Sequence, residues 1–227
     1  MAHTMTMKTA TLLLVALLCS VLTAVDARLV LPTLRYWTKP SADQAVYHAR
    51  QLVHLNTWAT LSTNSIDFPG SPEGHIVSYS DGIGKSAANS TGEIFFYLTK
   101  LDSAAQNLEK DARASLTMSL AQEGEHVCKK DVMDPTCWKI TIFGRVVPVT
   151  GDAKIEHAEA ALFSKSSGIL TLDAVVHGRH PEMATWPRNH GFSVFVLQID
   201  SMVLLDFYGG PKKITPDDYY KVHLSDE

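Results

Sequence analysis

The stretch Trp138-Lys139-Ile140-Thr141-Ile142-Phe143-Gly144-Arg145-Val146 sets Trp138, Ile140, Ile142 and Val146 on one side of an extended chain and Lys139, Thr141 and Arg145 on the other. A period of two with one apolar and one polar face is a half-buried antiparallel strand, one wall of a sandwich or barrel. The same period runs just upstream, where Ala114 to Gln122 places Leu116, Met118 and Leu120 opposite Ser115, Thr117 and Ser119. Trp58 to Ser62 is a short apolar strand, followed by the turn-rich run Asp67 to Gly74. Ile76 to Ser80 and Ile94 to Thr99 flank the small, polar loop Gly84 to Gly92 and predict a hairpin. Downstream, Phe192 to Phe207 is a long apolar strand with a bend expected at Asp200-Ser201.

Helical spacing appears between these runs. Ser41 and Gln44 make a capping box ahead of Ala42, Ala45, Val46, Ala49, Leu52 and Val53, which recur on one face. Asp102 caps a short helix through Lys110, and Asp152 to Ser164 returns to helical spacing through Ile155, Ala158, Ala161 and Leu162. Thr215-Pro216-Asp217-Asp218 is a helix start with N-cap, proline and acids in their favoured places. The pattern is α+β: about six antiparallel strands closing a small barrel, with helices on its outside.

The N-terminus has a different character. Lys8 precedes the apolar run Ala10 to Leu22, and Val25-Asp26-Ala27 ends it on small residues, which predicts a secretory signal peptide over 1–27 cut after Ala27, with Ala24 as second choice. The run is too short to span about 30 Å of hydrocarbon as a stable membrane helix. Residues 28–40 read as an extended lead-in, and 41–227 as a single domain. Lys8 and Asp26 cancel, so the mature chain keeps the net charge of −4. A mildly acidic surface offers nucleic acid no basic stripe, and direct DNA or RNA binding is excluded on that ground.

Once Cys19 leaves with the signal, Cys128 and Cys137 remain. In an oxidising lumen a local disulfide closing the polar loop between them is expected; two separate thiols are the other reading, and zinc lacks its four ligands. Asn89-Ser90-Thr91 is the one acceptor sequon, and Asn89 is the expected glycosylation site.

Catalytic signals are missing. His177 and His180 have no third ligand at useful spacing, so no metal residue is assigned. There is no glycine-framed nucleophile around Ser80-Asp81, no dinucleotide fingerprint and no phosphate-binding loop. No catalytic or cofactor-binding residue is assigned.

Three segments go beyond pattern: Ser78-Tyr79-Ser80-Asp81-Gly82, His180-Pro181-Glu182-Met183-Ala184-Thr185-Trp186-Pro187, and Asp206-Phe207-Tyr208-Gly209-Gly210-Pro211. With Leu116 to Gln122 and Thr215 to Tyr220, they closely resemble the CREG family of secreted, endolysosomal glycoproteins, in order from Ala42 to Val222. The resemblance implies a six-stranded antiparallel split barrel like that of the FMN-binding pyridoxamine-phosphate-oxidase group, and a homodimer. It also implies a non-catalytic influence on cell growth and differentiation through partners, including a glycan-recognising or cell-surface receptor, in the extracellular space or the endolysosomal lumen. The competing expectation from the same fold is an FMN-dependent oxidoreductase. Its phosphate cradle would draw on Ser78, Ser80, Thr99 and Lys100, with Asp81 opposing, and a cleft crowded by Trp186 argues against it. One departure from the family is the extra stretch from Ser166 to Gly178, ahead of His180.

Overall fold

The computed structural model divides the chain into two units, Met1–Lys39 and Pro40–Glu227. It describes residues 39–163 and 178–226, so the signal segment and almost all of the extra stretch lie outside the described residues. The second unit runs α1 (Ala42–Leu55), β1 (Trp58–Asn64), β2 (Pro72–Gly82), β3 (Ser90–Thr99), α2 (Ser103–Lys110), β4 (Arg113–Ser119), β5 (Lys139–Pro148), α3 (Asp152–Phe163), β6 (Phe192–Leu205), β7 (Lys212–Ile214) and α4 (Pro216–Lys221).

The strands hydrogen-bond in the order β3-β2-β1-β4-β5-β6, and β3 pairs back onto β6, so six antiparallel strands close a barrel. The first half of β6 makes that closure, while its second half also carries β7. The expected bend is a bulge: Phe143 faces Ser201 and Gly144 faces Ile199, leaving Asp200 unpaired. The expected alternation is seen in β5, where Ile140, Ile142 and Val146 are buried while Phe143 and Arg145 are exposed.

Several boundaries differ from expectation: β1 extends past Ser62 to Asn64, β3 starts at Ser90 rather than Ile94, and β6 ends at Leu205 rather than Phe207. Leu120 to Glu123 is a 3₁₀ turn rather than strand, because the Ser119 side chain accepts from Ala121 N and the Gln122 side chain from Ser119 N, a capping box in place of the next ladder bonds. Pro72-Glu73-Gly74 belongs to β2 rather than to the preceding turn, since proline is tolerated at a strand's first position. The helices are also less peripheral than expected. Ala49, Leu52 and Val53 of α1 are fully buried in the same core as Leu61, Leu116 and Ile142 of the barrel. The inward-facing Tyr79 donates its hydroxyl hydrogen bond to Val53 O at 2.7 Å. A second core gathers Phe95, Val194 and Val196 against Ala158, Ala161 and Leu162 of α3 and against Met183.

Candidate functional site

On the face of α1 that packs on the barrel, Val46, Arg50 and His54 follow each other at helical spacing. A buried arginine and histidine on an apolar stripe need polar partners, because an unpaired charge in a core costs several kcal/mol. β2 supplies the anion at its end: Asp81 is fully buried, and Ser90 at the start of β3 donates its hydroxyl to Oδ2. Arg179 arrives from far along the chain. Its Nη2 lies 3.1 Å from Asp81 Oδ1, and its remaining nitrogens donate to His54 O (2.6 Å), Asn56 O (3.2 Å) and Gly84 O (3.2 Å). His54 sits between them, with Nδ1 3.1 Å from Asp81 Oδ1 and 2.7 Å from Arg179 Nη2, and Nε2 3.2 Å from Lys85 O. Burial pushes the Asp81 carboxyl up; His54, the Arg179 guanidinium and the Ser90 hydroxyl outweigh it, and the group lies below the ordinary carboxylate value.

This cluster is not a hydrolytic triad. The carboxylate stands between Ser90 and His54, so the imidazole does not meet the Ser90 hydroxyl. Arg50 lies beside it, fully buried, with Nη2 donating to Ser90 O at 3.0 Å and its guanidinium over the Tyr219 ring at 4.9 Å. Arg179 and His54 form part of the wall of a cleft of about 620 Å³, with Tyr47, Lys85, Glu123 and Asp226 among the other lining residues. Burial raises the Glu123 carboxyl against the opposing pull of Arg179.

A second cluster of similar make-up sits at the middle of α1. His48 Nδ1 lies 2.9 Å from Asp206 Oδ2, Lys212 Nζ donates to Oδ1 at 2.7 Å, and the His48 ring stacks on Trp138 at 3.9 Å. Burial pushes Asp206 up, but His48 and Lys212 hold it below its ordinary value. The next residues turn through Gly209 (φ 104°) and Gly210 (φ 90°), a left-handed pair that any side chain would strain.

Cys128 and Cys137 are joined in a disulfide with Cα atoms 5.0 Å apart. The loop that it closes is tied to Tyr208, whose hydroxyl meets Lys130 Nζ at 3.0 Å and Asp134 Oδ2 at 3.1 Å. Asn89 is exposed at the end of a 3₁₀ turn, Ala87–Asn89, where a plain loop was expected, and Nδ2 donates to Ile83 O. His180 is buried against Tyr79 O at 3.0 Å, whereas His177 lies outside the described residues.

A flavin phosphate does not fit the four side chains expected to cradle it. Ser80 gives its hydroxyl to Gly82 O and Thr99 gives its own to His190 O, while Lys100 is exposed and pairs with Glu109 at 3.3 Å. Ser78 is left without a cation. Trp186 packs with Tyr97 and Phe192 at ring distances of 6.1 and 4.9 Å, half-buried beside the second core.

The clusters around Asp81 and Asp206 were not expected from sequence. The local signal for the Asp81 cluster was the pair of polar side chains, Arg50 and His54, on an otherwise apolar helical stripe. Asp81, Asp206 and Arg179 are brought in by strand pairing and chain return, which no spacing reveals.

The family model described as CREG, beta-barrel matches residues 40–221. The chain belongs to the CREG family. Protein CREG1 of Gallus gallus is 34% identical over 216 residues, covering 93% of this chain and 99% of that protein. Protein CREG1 of Homo sapiens is also 34% identical, covering 81% of this chain and 76% of its own length. Among solved structures, a heme binding protein from Mycobacterium smegmatis aligns with TM-score 0.57 and 19% identity over 82% of this chain, which spans 62% of that one. A Clostridium acetobutylicum protein of the pyridoxinephosphate oxidase family aligns with TM-score 0.50 and 10% identity over 79% of this chain and all of its own. These likenesses establish the CREG barrel as a split barrel in fold.

Proposed function

We propose that this CREG-family protein is exported, glycosylated at Asn89, and present in the extracellular space or the endolysosomal lumen. There it influences cell growth and differentiation through protein partners, such as a glycan-recognising or cell-surface receptor, rather than by catalysis. The observation that carries this reading is the pairing of a disulfide, Cys128–Cys137, with an acceptor asparagine exposed on a short turn, both suited to an oxidising, glycosylating route. Expression in insect cells tests it. The protein should collect in medium or lysosomes and gain gel mobility on glycosidase treatment, and an Asn89→Gln variant of unchanged mobility would refute the glycan.

The proposal includes a homodimer on the barrel's outer face. Ile76 (71% exposed), Trp58 (40%) and Phe143 (42%) lie with Thr60, Thr117 and Thr141 across the neighbouring strands β2, β1, β4 and β5. Such an uncharged strip suits a second copy burying more than about 1,000 Å² in total. Light scattering should give a dimer mass, and a Phe143→Asp variant should shift it to monomer. Flavin chemistry forms no part of this function: the protein purified from a eukaryotic host should lack flavin absorbance, and a yellow preparation would promote the oxidoreductase reading.

A further inference from the structure

The cleft beside Arg179 has walls pinned through the backbone, yet several side chains on them are unpaired among the described residues. The wall at residues 84–87 is held at four successive positions. Gly84 O accepts from Arg179 Nε at 3.2 Å, and Lys85 O lies 3.2 Å from His54 Nε2. Asp226 accepts from the Ser86 hydroxyl at 2.5 Å and from Ala87 N at 2.6 Å. Glu123, also on the lining, belongs to the 3₁₀ turn fixed by the Ser119–Gln122 capping box, and Gln122 Nε2 donates to Trp58 O at 2.8 Å. α1 contributes Tyr47, Gln51 and Leu55, four residues apart and therefore on one face of the helix. On this frame the Lys85 ammonium, the Glu123 carboxyl, the Tyr47 hydroxyl and the Gln51 amide make no hydrogen bond or ion pair within the described residues.

These groups carry both signs of charge. Arg179 belongs to the frame, because its side chain is only 3% exposed and its charge is answered by Asp81 at 3.1 Å. Lys85 thus offers its ammonium to a ligand's carboxylate. Burial raises the Glu123 carboxyl and the pull of Arg179 does not cancel the effect, so a cation set against it favours its charged form. Asp226 keeps a second negative charge on the same lining, with its carboxyl lowered by Ser86 and Ala87. A phosphate-like dianion meets like charge at Glu123 and Asp226, and a diamine meets it at Lys85, so neither single-signed ligand suits the cleft. Leu55, 41% exposed, adds an apolar surface. The volume of about 620 Å³ lies within the roughly 300–1,000 Å³ that holds small organic ligands. We propose that this cleft binds a small zwitterion with an apolar side chain, a free amino acid or short peptide, whose carboxylate meets Lys85 and whose ammonium meets Glu123. Tyr47 and Gln51 supply hydrogen bonds to its remaining polar groups, and Leu55 packs on its side chain. The site does not rest on the proposed export or protein partners; it is a property of the folded chain.

The experiment is an NMR shift titration of the purified protein with leucine and with the dipeptide Gly-Leu, at about pH 7, where ammonium and carboxylate are both charged. At least one of the two should saturate with a Kd of about 1 mM or tighter. The shifts should gather over residues 51–57, 84–87 and 121–124 and leave β7 unmoved. Tighter binding of leucine assigns a free amino acid and tighter binding of Gly-Leu a peptide; either upholds the site. Blocking the ligand's charges separates the two contacts. The C-terminal amide and the N-acetyl form should each bind about fivefold to tenfold more weakly, the loss of one charge-assisted hydrogen bond in a partly open site. Lys85→Met should erase the amide's disadvantage and keep that of the N-acetyl form, and Glu123→Gln should do the reverse. A merely structural role of either side chain does not produce that crossed pattern. Neither side chain has a partner to lose among the described residues, so both variants should keep the urea midpoint of the unmodified protein. No saturable shift with either ligand up to about 20 mM, blocked ligands binding as well as free ones, or full discrimination in both variants would overturn the proposal. Should a variant fail to fold, the blocked ligands decide on the unmodified protein alone.

Discussion

Asp81 and Asp206 are two solutions to the same problem. Each is a buried carboxylate that meets a histidine of α1 and a cation from a distant part of the chain. At Asp206 the oxygens are divided, one for His48 and one for Lys212. At Asp81 the partners overlap: His54 Nδ1 lies 3.1 and 3.3 Å from the two oxygens, Arg179 meets Oδ1, and Ser90 donates to Oδ2. Exposure differs as well: the Lys212 side chain keeps 22% of its surface, that of Arg179 only 3%. At Asp206 the partially exposed Lys212 can reach water if the carboxylate is lost. At Asp81 both the carboxylate and the guanidinium are enclosed, so loss of either partner leaves the other without water.

The comparison is easiest to break at the carboxylates. Asp81→Asn strands Arg179 in the core and should cost about 3–5 kcal/mol in urea unfolding, while Asp206→Asn, with Lys212 free to reach water, should cost about 1–2 kcal/mol. Equal losses would mean that enclosure does not distinguish the two clusters.

Replacing both Cys128 and Cys137 by serine should cost about 2–3 kcal/mol, the chain-entropy value for a short closed loop. The effect should be confined to the Asp206 end, because the disulfide loop grips Tyr208 and hence the Gly209-Gly210 turn. Hydrogen exchange around Arg179 should not change, and a change there would show that the two clusters are coupled.

A smaller effect comes with pH. The folded Asp206 carboxyl lies below its ordinary value, so its charge stabilises the fold above the usual carboxylate range, and that contribution is lost as pH falls through the folded value. The stability gap between the unmodified protein and Asp206→Asn should therefore close on acidification. A gap that persists would mean that shape rather than charge holds this end.

The smallest effect is expected from deleting residues 164–177. A Cβ on Gly178 would fall 2.5–2.7 Å from the backbone of Phe163, so the two residues bordering this segment already lie against each other. Joining them should leave the urea midpoint within about 1 kcal/mol in stability terms, since loop length carries only a slow entropic dependence. An unfolded product would show that the domain has integrated the stretch.

Sequence by itself determined the barrel's walls, the capped starts of α1, α2 and α4, and the sequon, because each depends on residues within a few positions of one another. Period-two alternation in β5 and the Ser41–Gln44 capping box are local physics, and they appear in the structure where the sequence puts them. Even the bend in β6 was legible, as the polar Asp200-Ser201 interrupts an apolar run. The tertiary structure alone decided the Asp81 cluster. His54, Asp81, Ser90 and Arg179 come from a helix, two strands and a returning segment 125 positions from His54, and no local signal pairs them. What brings them together is barrel closure through β3 and β6 and the docking of residues 178–180 on the end of α3. Once there, burial makes the positions of single oxygens and protons decisive.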